Sequence, residues 1–423
     1  MVLTEEDELD IIETNLHLLD DYIQDNPSAI SEPDFYNILL EELVELFVIQ
    51  MEDFILSIND MDNVDNLLEE TCDIFVSTIA PKSVLNIDLE KYNKKTVEEI
   101  NNIEKQIIYL QNFPQPTQRT PEWYQYRRNL ITASNAYKAF EKQSSINQLI
   151  YEKCQPIIEH DKPVNVNTPL HWGQKYEPLS VLFYEKKKNV KVTEFGCIQH
   201  PVYSFLGASP DGIITDKNSE IYGRMLEIKN VVSREINGIP KKEYWVQMQL
   251  QMEVCNLDEC DFLETKFTEY LDHESYYKDT KDIQNVTIAL DNMPKGIIIY
   301  FSTPKNTPFY VYKPLELTNE KDIIEWEEKN INTYQSEEYN YTFLKFIYWK
   351  LEVYSCVLEY RNKEWFKNSI GQLEKVWKII EDERIHGYDH RCVNKKEKKE
   401  FMKEKEPMNK CLLPFNKIIK LLN

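Results

Sequence analysis

Two acidic residues and a lysine in one stretch of this chain have the chemistry to hold a divalent cation and a water molecule. Asp211 lies in Ser209–Gly212, which reads SPDG, and Glu227 and Lys229 lie in the apolar segment Met225–Val232. Because side chains two apart on a β-strand point to the same face, Glu227 and Lys229 are expected to project together. Burying these charges inside an apolar strand is costly unless they have strong partners.

Neighbouring strands of one sheet could bring Asp211 beside Glu227. Two carboxylates suit Mg²⁺, which lowers the pKa of a bound water and neutralises charge on a phosphate. A lysine can orient that water, deprotonate it, or stabilise the charge that develops. The alternative is a structural ion pair between Glu227 and Lys229.

A helix is predicted over Pro240–Asn256, with proline at its start. At 100° per residue, Gln247 shares a face with Tyr244, Met248, Gln251 and Cys255, whereas Gln249 lies roughly opposite Tyr244. Only one of Gln247 and Gln249 can therefore face the site, and we predict Gln247. The alternative is an ordinary polar helix face.

Two further segments carry candidate residues. Trp172–Lys188 is predicted to be a helix with Glu177 in its N-terminal half, where a lone glutamate is usually solvated. Earlier, Pro121 suits the first turn of a helix capped by Thr120.

That first helix carries Arg127, and Thr132 or Ser134 could cap the next helix, predicted over Asn135–Lys142. A hydroxyl at a helix start, with an arginine one helix earlier, makes a good phosphate site. The alternative is a helix cap with surface arginines.

Strands are predicted in the middle of the chain, and they would form the sheet that positions these residues. The predicted strands are 190–200, 205–215, 225–232, 261–270, 296–302 and 309–312. Helices are predicted over 97–111 and, in the C-terminal third, over 316–333, 341–354 and 361–384.

The net charge of −23 is concentrated at one end of the chain. Residues 1–100 hold 26 acidic and 4 basic side chains, whereas the remainder holds 46 acidic and 45 basic. The first 75 residues are predicted to form an acidic helical cap, with a regulatory or partner-binding element and a disordered segment as alternatives. A near-neutral remainder is compatible with nucleic-acid binding if its basic groups line one channel.

Composition limits the class of protein. Hydrophobic residues make up 42% of the chain, which indicates a globular protein, and no apolar run is long enough to span a bilayer. Eight scattered cysteines without a CxxC pair and an acidic N-terminus favour a reducing intracellular compartment, either cytoplasm or nucleus.

In these residues the chain resembles the lambda-exonuclease-type, or YqaJ-like viral recombinase, branch of the PD-(D/E)XK nucleases. Five matching pieces occur in the expected order. They are Trp123 with Arg127 and Ser134, Gly173 with Glu177, Ser209–Gly212, Glu227–Lys229, and Tyr244 with Gln247 and Gln249. The resemblance covers about residues 120–270, and the first hundred residues have no recognised counterpart.

The resemblance implies a role for each matching residue. Asp211, Glu227, Glu177 and the carbonyl of Ile228 would hold the metal, which would be Mg²⁺, replaceable by Mn²⁺, as two ions. Lys229 would interact with the nucleophilic water, and Gln247 would support the lysine and the water. Arg127 and Ser134 would hold the 5′-phosphate of DNA, although the neighbouring Arg128 leaves this contact ambiguous.

The resemblance also implies an α/β (α+β) fold with a restriction-endonuclease-like core, a mixed sheet flanked by helices in αβββαβ order. We expect an acidic helical region at 1–115, a nuclease core at 116–315 and a helical region packed on the core at 316–423.

The expected activity is Mg²⁺-dependent 5′-to-3′ digestion of double-stranded DNA, leaving 3′ single strands for recombination or repair. A structure-specific endonuclease, an RNase and an inactive DNA-binding scaffold are the alternatives. A single-strand annealing protein as partner, a viral replication site, and a monomer or ring trimer stay open. No membrane partner is expected.

Overall fold

The computed structural model describes residues 4–26, 35–50, 61–78, 95–157 and 164–391. Within them, no helix is both long enough and apolar enough to cross a membrane. The six cysteines of this part of the chain are all buried, and none of these six forms a disulfide.

The chain divides into two compact units. The larger comprises Met1–Tyr137 and Ile157–Ser369, and the smaller comprises Lys138–Pro156 and Ile370–Asn423. Every residue predicted to carry chemistry lies in the larger unit. The boundaries expected after residues 115 and 315 stay predictions.

Helices occupy most of the described part of the acidic N-terminal region, as predicted. They are Glu5–Asp25 (α1), Phe35–Gln50 (α2), Met61–Thr78 (α3) and Val97–Asn112 (α4). The first three pack on one another through an apolar core. Its buried side chains include Leu19, Leu39, Leu43, Phe47 and Leu67.

Short elements follow. Helix α5 (Pro121–Arg128) starts with Pro121 at its first position, and the Thr120 hydroxyl accepts from the Trp123 N–H at 3.2 Å, as predicted. A two-residue strand, β1 (Ile131–Thr132), leads into α6 (Ala133–Ala136).

Thr132, and not Ser134, is the N-cap of α6. The α-helix predicted over Asn135–Lys142 is wrong, because α6 ends at Ala136 and a 3₁₀ turn, Tyr137–Phe140, replaces its continuation. Helix α7 (Gln143–Cys154) lies in the smaller unit and α8 (Pro169–Lys188) in the larger.

Within the described ranges, nine further strands join β1 in two sheets. They are β2 (Val192–Thr193), β3 (Ile198–Gln199), β4 (Leu206–Ala208), β5 (Gly212–Ile214), β6 (Met225–Asn230), β7 (Glu259–Glu269), β8 (Lys295–Ser302), β9 (Pro308–Tyr312) and β10 (Thr342–Tyr360). The main sheet has the order β2-β5-β6-β7-β10-β8-β9, and a small sheet has the order β1-β4-β3. The remaining helices are α9 (Lys242–Cys255), α10 (His273–Lys278), α11 (Glu320–Tyr334) and α12 (Lys363–His386).

The mixed α/β fold and its αβββαβ order are confirmed. Helix α8 is followed by β2, β5 and β6 of the main sheet, then by α9 and β7. Strands β5 and β6 are antiparallel neighbours, whereas β6 and β7 run parallel, so α9 is the crossover connection between them. The small β3–β4 hairpin is inserted between β2 and β5.

The single strand predicted over 205–215 is divided between the two sheets. Strand β4 belongs to the small sheet and β5 to the main sheet, and Ser209, Pro210 and Asp211 form the junction. Proline cannot donate to a ladder, which explains the break. Gly212 directly after the junction lies so close to Val192 that a Cβ at this position would collide with it.

The expectation of a wholly helical C-terminal third is wrong. Residues 341–354, predicted to be helical, belong to the 19-residue strand β10, which pairs antiparallel with both β7 and β8. Strand β10 is buried at alternate positions only over residues 347–351, whereas residues 354–357 are all buried, so the strand as a whole does not show the simple alternation of a half-buried strand. Residues 392–423 of the expected helical region lie outside the described residues.

Candidate functional site

A cavity of 660 Å³ brings together every residue predicted to carry chemistry. Its lining includes Arg127, Ser134, Glu177, Asp211, Glu227, Ile228, Lys229 and Gln247. These residues are contributed by α5, α6, α8, the β4–β5 junction, β6 and α9. Elements more than a hundred residues apart in the sequence therefore converge on one site.

Strand β6 divides its side chains between the site and the core. Leu226 and Ile228 are buried in an apolar cluster with Ile214 and Leu263. Glu227 and Lys229 project from the opposite face and form an ion pair. Only 1% of Glu227 is exposed, so this carboxylate depends on its hydrogen-bond partners.

Two glutamines of α9 satisfy the Glu227 carboxylate. Gln247 Nε2 donates to Oε1 at 2.7 Å, and Gln251 Nε2 donates to Oε2 at 2.6 Å. Gln249 faces away, because its side chain bonds to the backbone of Tyr360 and Asn362. Gln247, and not Gln249, therefore lies on the face of α9 that lines the cavity.

Gln251 also contacts Glu227. The helical repeat predicts Gln251 on the same face as Gln247, but no role was predicted for it. Its Oε1 atom is buried and has no hydrogen-bond partner. The signal was its spacing of four residues from Gln247, which puts both amides on one side of α9.

Asp211 reaches β6 from the junction between the two sheets. Its Oδ2 atom accepts a hydrogen bond of 2.7 Å from the N–H of Ile228. Burial raises the pKa of the Asp211 carboxyl well above its usual range, and the charges of Glu227 and Glu177 raise it further. The raised pKa of Asp211 therefore comes first from its burial and second from two acidic neighbours in the same cavity.

Lys229 is surrounded by groups that favour its charged form. Its Nζ donates to Gln247 Oε1 at 3.3 Å and lies 5.0 Å from the centre of the Tyr244 ring. Burial lowers the pKa of Lys229, but the charges of Glu227 and Asp211 outweigh burial, and the pKa is raised. Lys229 is therefore an ammonium at neutral pH.

Glu177 has a partner that the sequence did not indicate. Arg119 Nη2 donates to both carboxylate oxygens of Glu177, at 2.9 and 2.7 Å. Burial raises the pKa of Glu177, and the Arg119 charge opposes that shift. Arg119 has a left-handed backbone (φ 67°), a conformation with no clear signal in the surrounding sequence.

The chemistry of these donors suits a hard divalent cation. Three carboxylates line the cavity, one of them with a strongly raised pKa, and a divalent cation would relieve their mutual repulsion. Within the described ranges, however, no three acidic, histidine or cysteine side chains are arranged to hold one ion. Each carboxylate instead uses a partner from the chain, namely Arg119 for Glu177, the Ile228 N–H for Asp211 and Lys229 with the two glutamines for Glu227.

Arg127 forms a second cluster in the same cavity. Its guanidinium donates to Ser209 Oγ at 3.1 Å and to Ser134 Oγ at 3.0 Å, and it lies 4.3 Å from the centre of the Trp123 ring. Burial lowers its pKa, yet a guanidinium stays charged at physiological pH. Because Ser209 lies two residues before Asp211, the cluster is joined directly to the acidic part of the site.

Comparisons with known proteins place this cavity in a family. Residues 122–258 match the YqaJ-like viral recombinase domain. Uncharacterized protein R354 of Acanthamoeba polyphaga mimivirus is 32% identical over 329 residues, which cover 70% of this chain. The chain spans 58% of the length of that viral protein.

Two solved structures are similar at lower identity. An alkaline exonuclease (LHK-Exo) from Laribacter hongkongensis is 19% identical, with a TM-score of 0.37, over 63% of this chain and 95% of its own. A phage-related exonuclease from Haemophilus somnus 129PT is 10% identical, with a TM-score of 0.31, over 60% of this chain and 94% of its own.

The sequence match and the cavity cover the same part of the molecule. All residues that line the cavity lie within the matched segment, apart from Gln118 and Arg119. Residues 122–258 of this chain therefore belong to the YqaJ-like viral recombinase domain family.

Proposed function

We propose that this cavity is the active site of a Mg²⁺-dependent deoxyribonuclease that digests duplex DNA from its 5′ ends. The observation that carries the proposal is that one cavity is lined by both Asp211, Glu227 and Lys229 and by the Arg127–Ser134 cluster. The first group suits phosphodiester hydrolysis and the second suits a terminal phosphate.

Asp211, Glu227 and Glu177, with the Ile228 carbonyl, would hold Mg²⁺, for which Mn²⁺ can substitute, as two ions. When bound, the ions would lower the pKa of a water molecule and neutralise charge on the scissile phosphate. Glu227 is held in place by Gln247 and Gln251, so it would keep its orientation when Lys229 turns towards substrate.

Lys229 would act through its charge. A lysine with a raised pKa is a poor base at neutral pH, but its ammonium can orient a water oxygen and stabilise negative charge on a phosphate oxygen. Of the roles open to this lysine, we therefore favour electrostatic stabilisation over deprotonation of the water.

The Arg127–Ser134 cluster would set the polarity. Attack of water on phosphorus, with departure of the 3′-oxygen, leaves a 5′-phosphate on the next nucleotide. Arg127 and Ser134 could hold that new terminal phosphate, so each cut would create the end that the next cut requires. The 3′-ended strand that remains single-stranded would then serve recombination or repair, with a single-strand annealing protein as a candidate partner.

The proposal is tested by a time course on linear duplex labelled at either end, in Mg²⁺ or in EDTA, beside a closed circle. We expect mononucleotides from the 5′ ends in Mg²⁺ only, and an intact circle. A cut circle would change the assignment to an endonuclease. No cleavage of either substrate by the folded protein would indicate a DNA-binding scaffold instead.

A further inference from the structure

A second cavity, of 290 Å³, adjoins the proposed active site. Pro169 and Val232 line both cavities, so the two are neighbours. Thr168, Trp172 and Lys175 of α8 face the second cavity, whereas Gly173 and Glu177 of the same helix face the first. Helix α8 therefore presents adjacent faces to two neighbouring cavities.

One row of side chains across three strands builds a wall of the second cavity. Tyr310 on β9 is paired with Tyr300 on β8, which is paired in turn with Lys345 on β10. The two tyrosine rings lie 4.9 Å apart at an angle of 32°. The row thus places an exposed ammonium beside two aromatic rings.

The helix side of the cavity contains an aromatic ring and an ion pair. Lys175 pairs with Glu269, and its Nζ lies 4.5 Å from the centre of the Trp172 ring. Trp172, Lys175 and Glu269 all line the cavity. This side therefore adds a third ring to the two tyrosines of the strand side.

We propose that this second cavity binds an unpaired nucleotide of a DNA strand that continues from the active site. The inference rests on the proposed function. Tyr300, Tyr310 and Trp172 provide aromatic surface for a base, and Lys345 provides a cation for a phosphate. A base in a duplex has its faces covered by its neighbours, so only an unpaired base can stack on such rings.

A single-stranded site and a site for free mononucleotide share this chemistry. The adjacency of the two cavities favours the strand, because a strand that extends from the active site over Pro169 and Val232, which line both cavities, would reach the second one. The volume of 290 Å³ lies just below the ~300–1,000 Å³ range of ligand pockets, which suits one nucleotide rather than a duplex.

The test measures binding of a labelled oligothymidylate of about 12 nucleotides in EDTA, where no cleavage competes. Tyr300→Leu keeps apolar bulk but removes the ring, and it should weaken binding about tenfold, since stacking contributes ~1–3 kcal/mol per base. Tyr339→Leu is the matched control, because Tyr339 is 37% exposed and does not line the cavity. Unchanged binding by a folded Tyr300→Leu protein would overturn the inference.

Salt dependence supplies a second measurement. Lys345→Ala should reduce the slope of log affinity against log salt by about 0.7, the value for one phosphate contact on a single strand. Lys305→Ala, an equal loss of charge at an exposed lysine outside the cavity, should leave the slope unchanged. An identical slope in the wild type and Lys345→Ala would contradict the phosphate contact.

Competition with thymidine monophosphate separates the two sources of nucleotide. A Tyr300→Leu defect for the oligonucleotide supports the strand, whereas a defect for the mononucleotide alone overturns it. Cleavage of linear duplex in Mg²⁺, assayed on the same proteins, keeps the two proposals distinct. If the wild type cleaves duplex and Tyr300→Leu binds the oligonucleotide as well as the wild type does, only this inference is overturned. If the wild type does not cleave duplex, the proposed function is overturned.

Discussion

The carboxylate of Asp211 accepts a 2.7 Å hydrogen bond from the backbone N–H of Ile228, on the strand between Glu227 and Lys229. This bond fixes the junction of the two sheets against β6 and holds two acidic side chains near each other. Burial and the neighbouring charges of Glu227 and Glu177 raise the pKa of Asp211. Ionised Asp211 consequently destabilises the metal-free protein at neutral pH.

Asp211→Asn should therefore make the metal-free protein more stable, because the amide keeps an acceptor for the Ile228 N–H and loses the charge. In EDTA at neutral pH we expect a Tm higher by a few degrees, or ~1 kcal/mol. A carboxyl with a raised pKa in the folded state destabilises the protein only at pH values above its pKa in the unfolded state. The stability gained by Asp211→Asn should therefore disappear as the pH falls to about 4.

In Mg²⁺ the wild type should become more stable than Asp211→Asn. A cation that binds only the folded state raises the wild-type Tm, whereas Asp211→Asn lacks a proposed ligand and should gain less. Thermal unfolding in EDTA and in Mg²⁺ measures both effects without an activity assay. Equal gains in Mg²⁺ for the two proteins would show that Asp211 does not hold the ion.

Gln247→Leu removes a donor to Glu227 and an acceptor for Lys229, while it keeps a side chain of similar size. We expect kcat to fall about 10- to 100-fold with little change in KM, because the loss concerns the alignment of catalytic groups and not DNA binding. Steady-state digestion of linear duplex gives both constants.

Gln249→Leu is the matched control two residues away. Gln249 is 1% exposed and bonds to the backbone of Tyr360 and Asn362. Its loss should lower the free energy of unfolding by ~1–3 kcal/mol and leave kcat unchanged. If Gln249→Leu lowered kcat and Gln247→Leu lowered only the stability, the face of α9 that carries Gln249 would be the one in the active site.

Lys229→Met and Lys229→Arg together show whether Lys229 acts in catalysis through its positive charge or as a general base. If Lys229 acts as an ammonium, Met should lower kcat at least 100-fold and Arg should retain part of the activity, because arginine keeps the charge at every accessible pH. If Lys229 deprotonates water, both variants should be equally inactive. Lys305→Met, at an exposed loop position, controls for the general loss of a cation.

Residues governed by local periodicity could be predicted from the sequence. The two-residue repeat placed Glu227 and Lys229 on one face of β6, and the helical repeat placed Gln247 inside and Gln249 outside. In each case the side-chain direction follows from backbone geometry alone.

Features that depend on distant partners were not predicted. Strand β10 is a strand because β7 and β8 enclose it, although nothing within residues 342–360 identifies those neighbours. The ion pair of Arg119 with Glu177 joins residues 58 apart in the sequence, and Arg119 has a left-handed backbone. Such contacts arise from tertiary packing, which single-sequence periodicity does not encode.

Arg127→Gln tests the proposed phosphate site against its neighbour in the sequence. Arg127 donates to Ser134 and Ser209 inside the cavity, whereas Arg128 is not among the residues that line it. On duplexes with a 5′-phosphate or a 5′-hydroxyl, the wild type should digest the phosphorylated end faster, and Arg127→Gln should lose most of that preference, a change of about tenfold or more for one charge-assisted contact. Arg128→Gln, the same substitution one residue later, should keep the preference. If Arg128→Gln abolishes it and Arg127→Gln does not, the terminal phosphate binds outside this cavity.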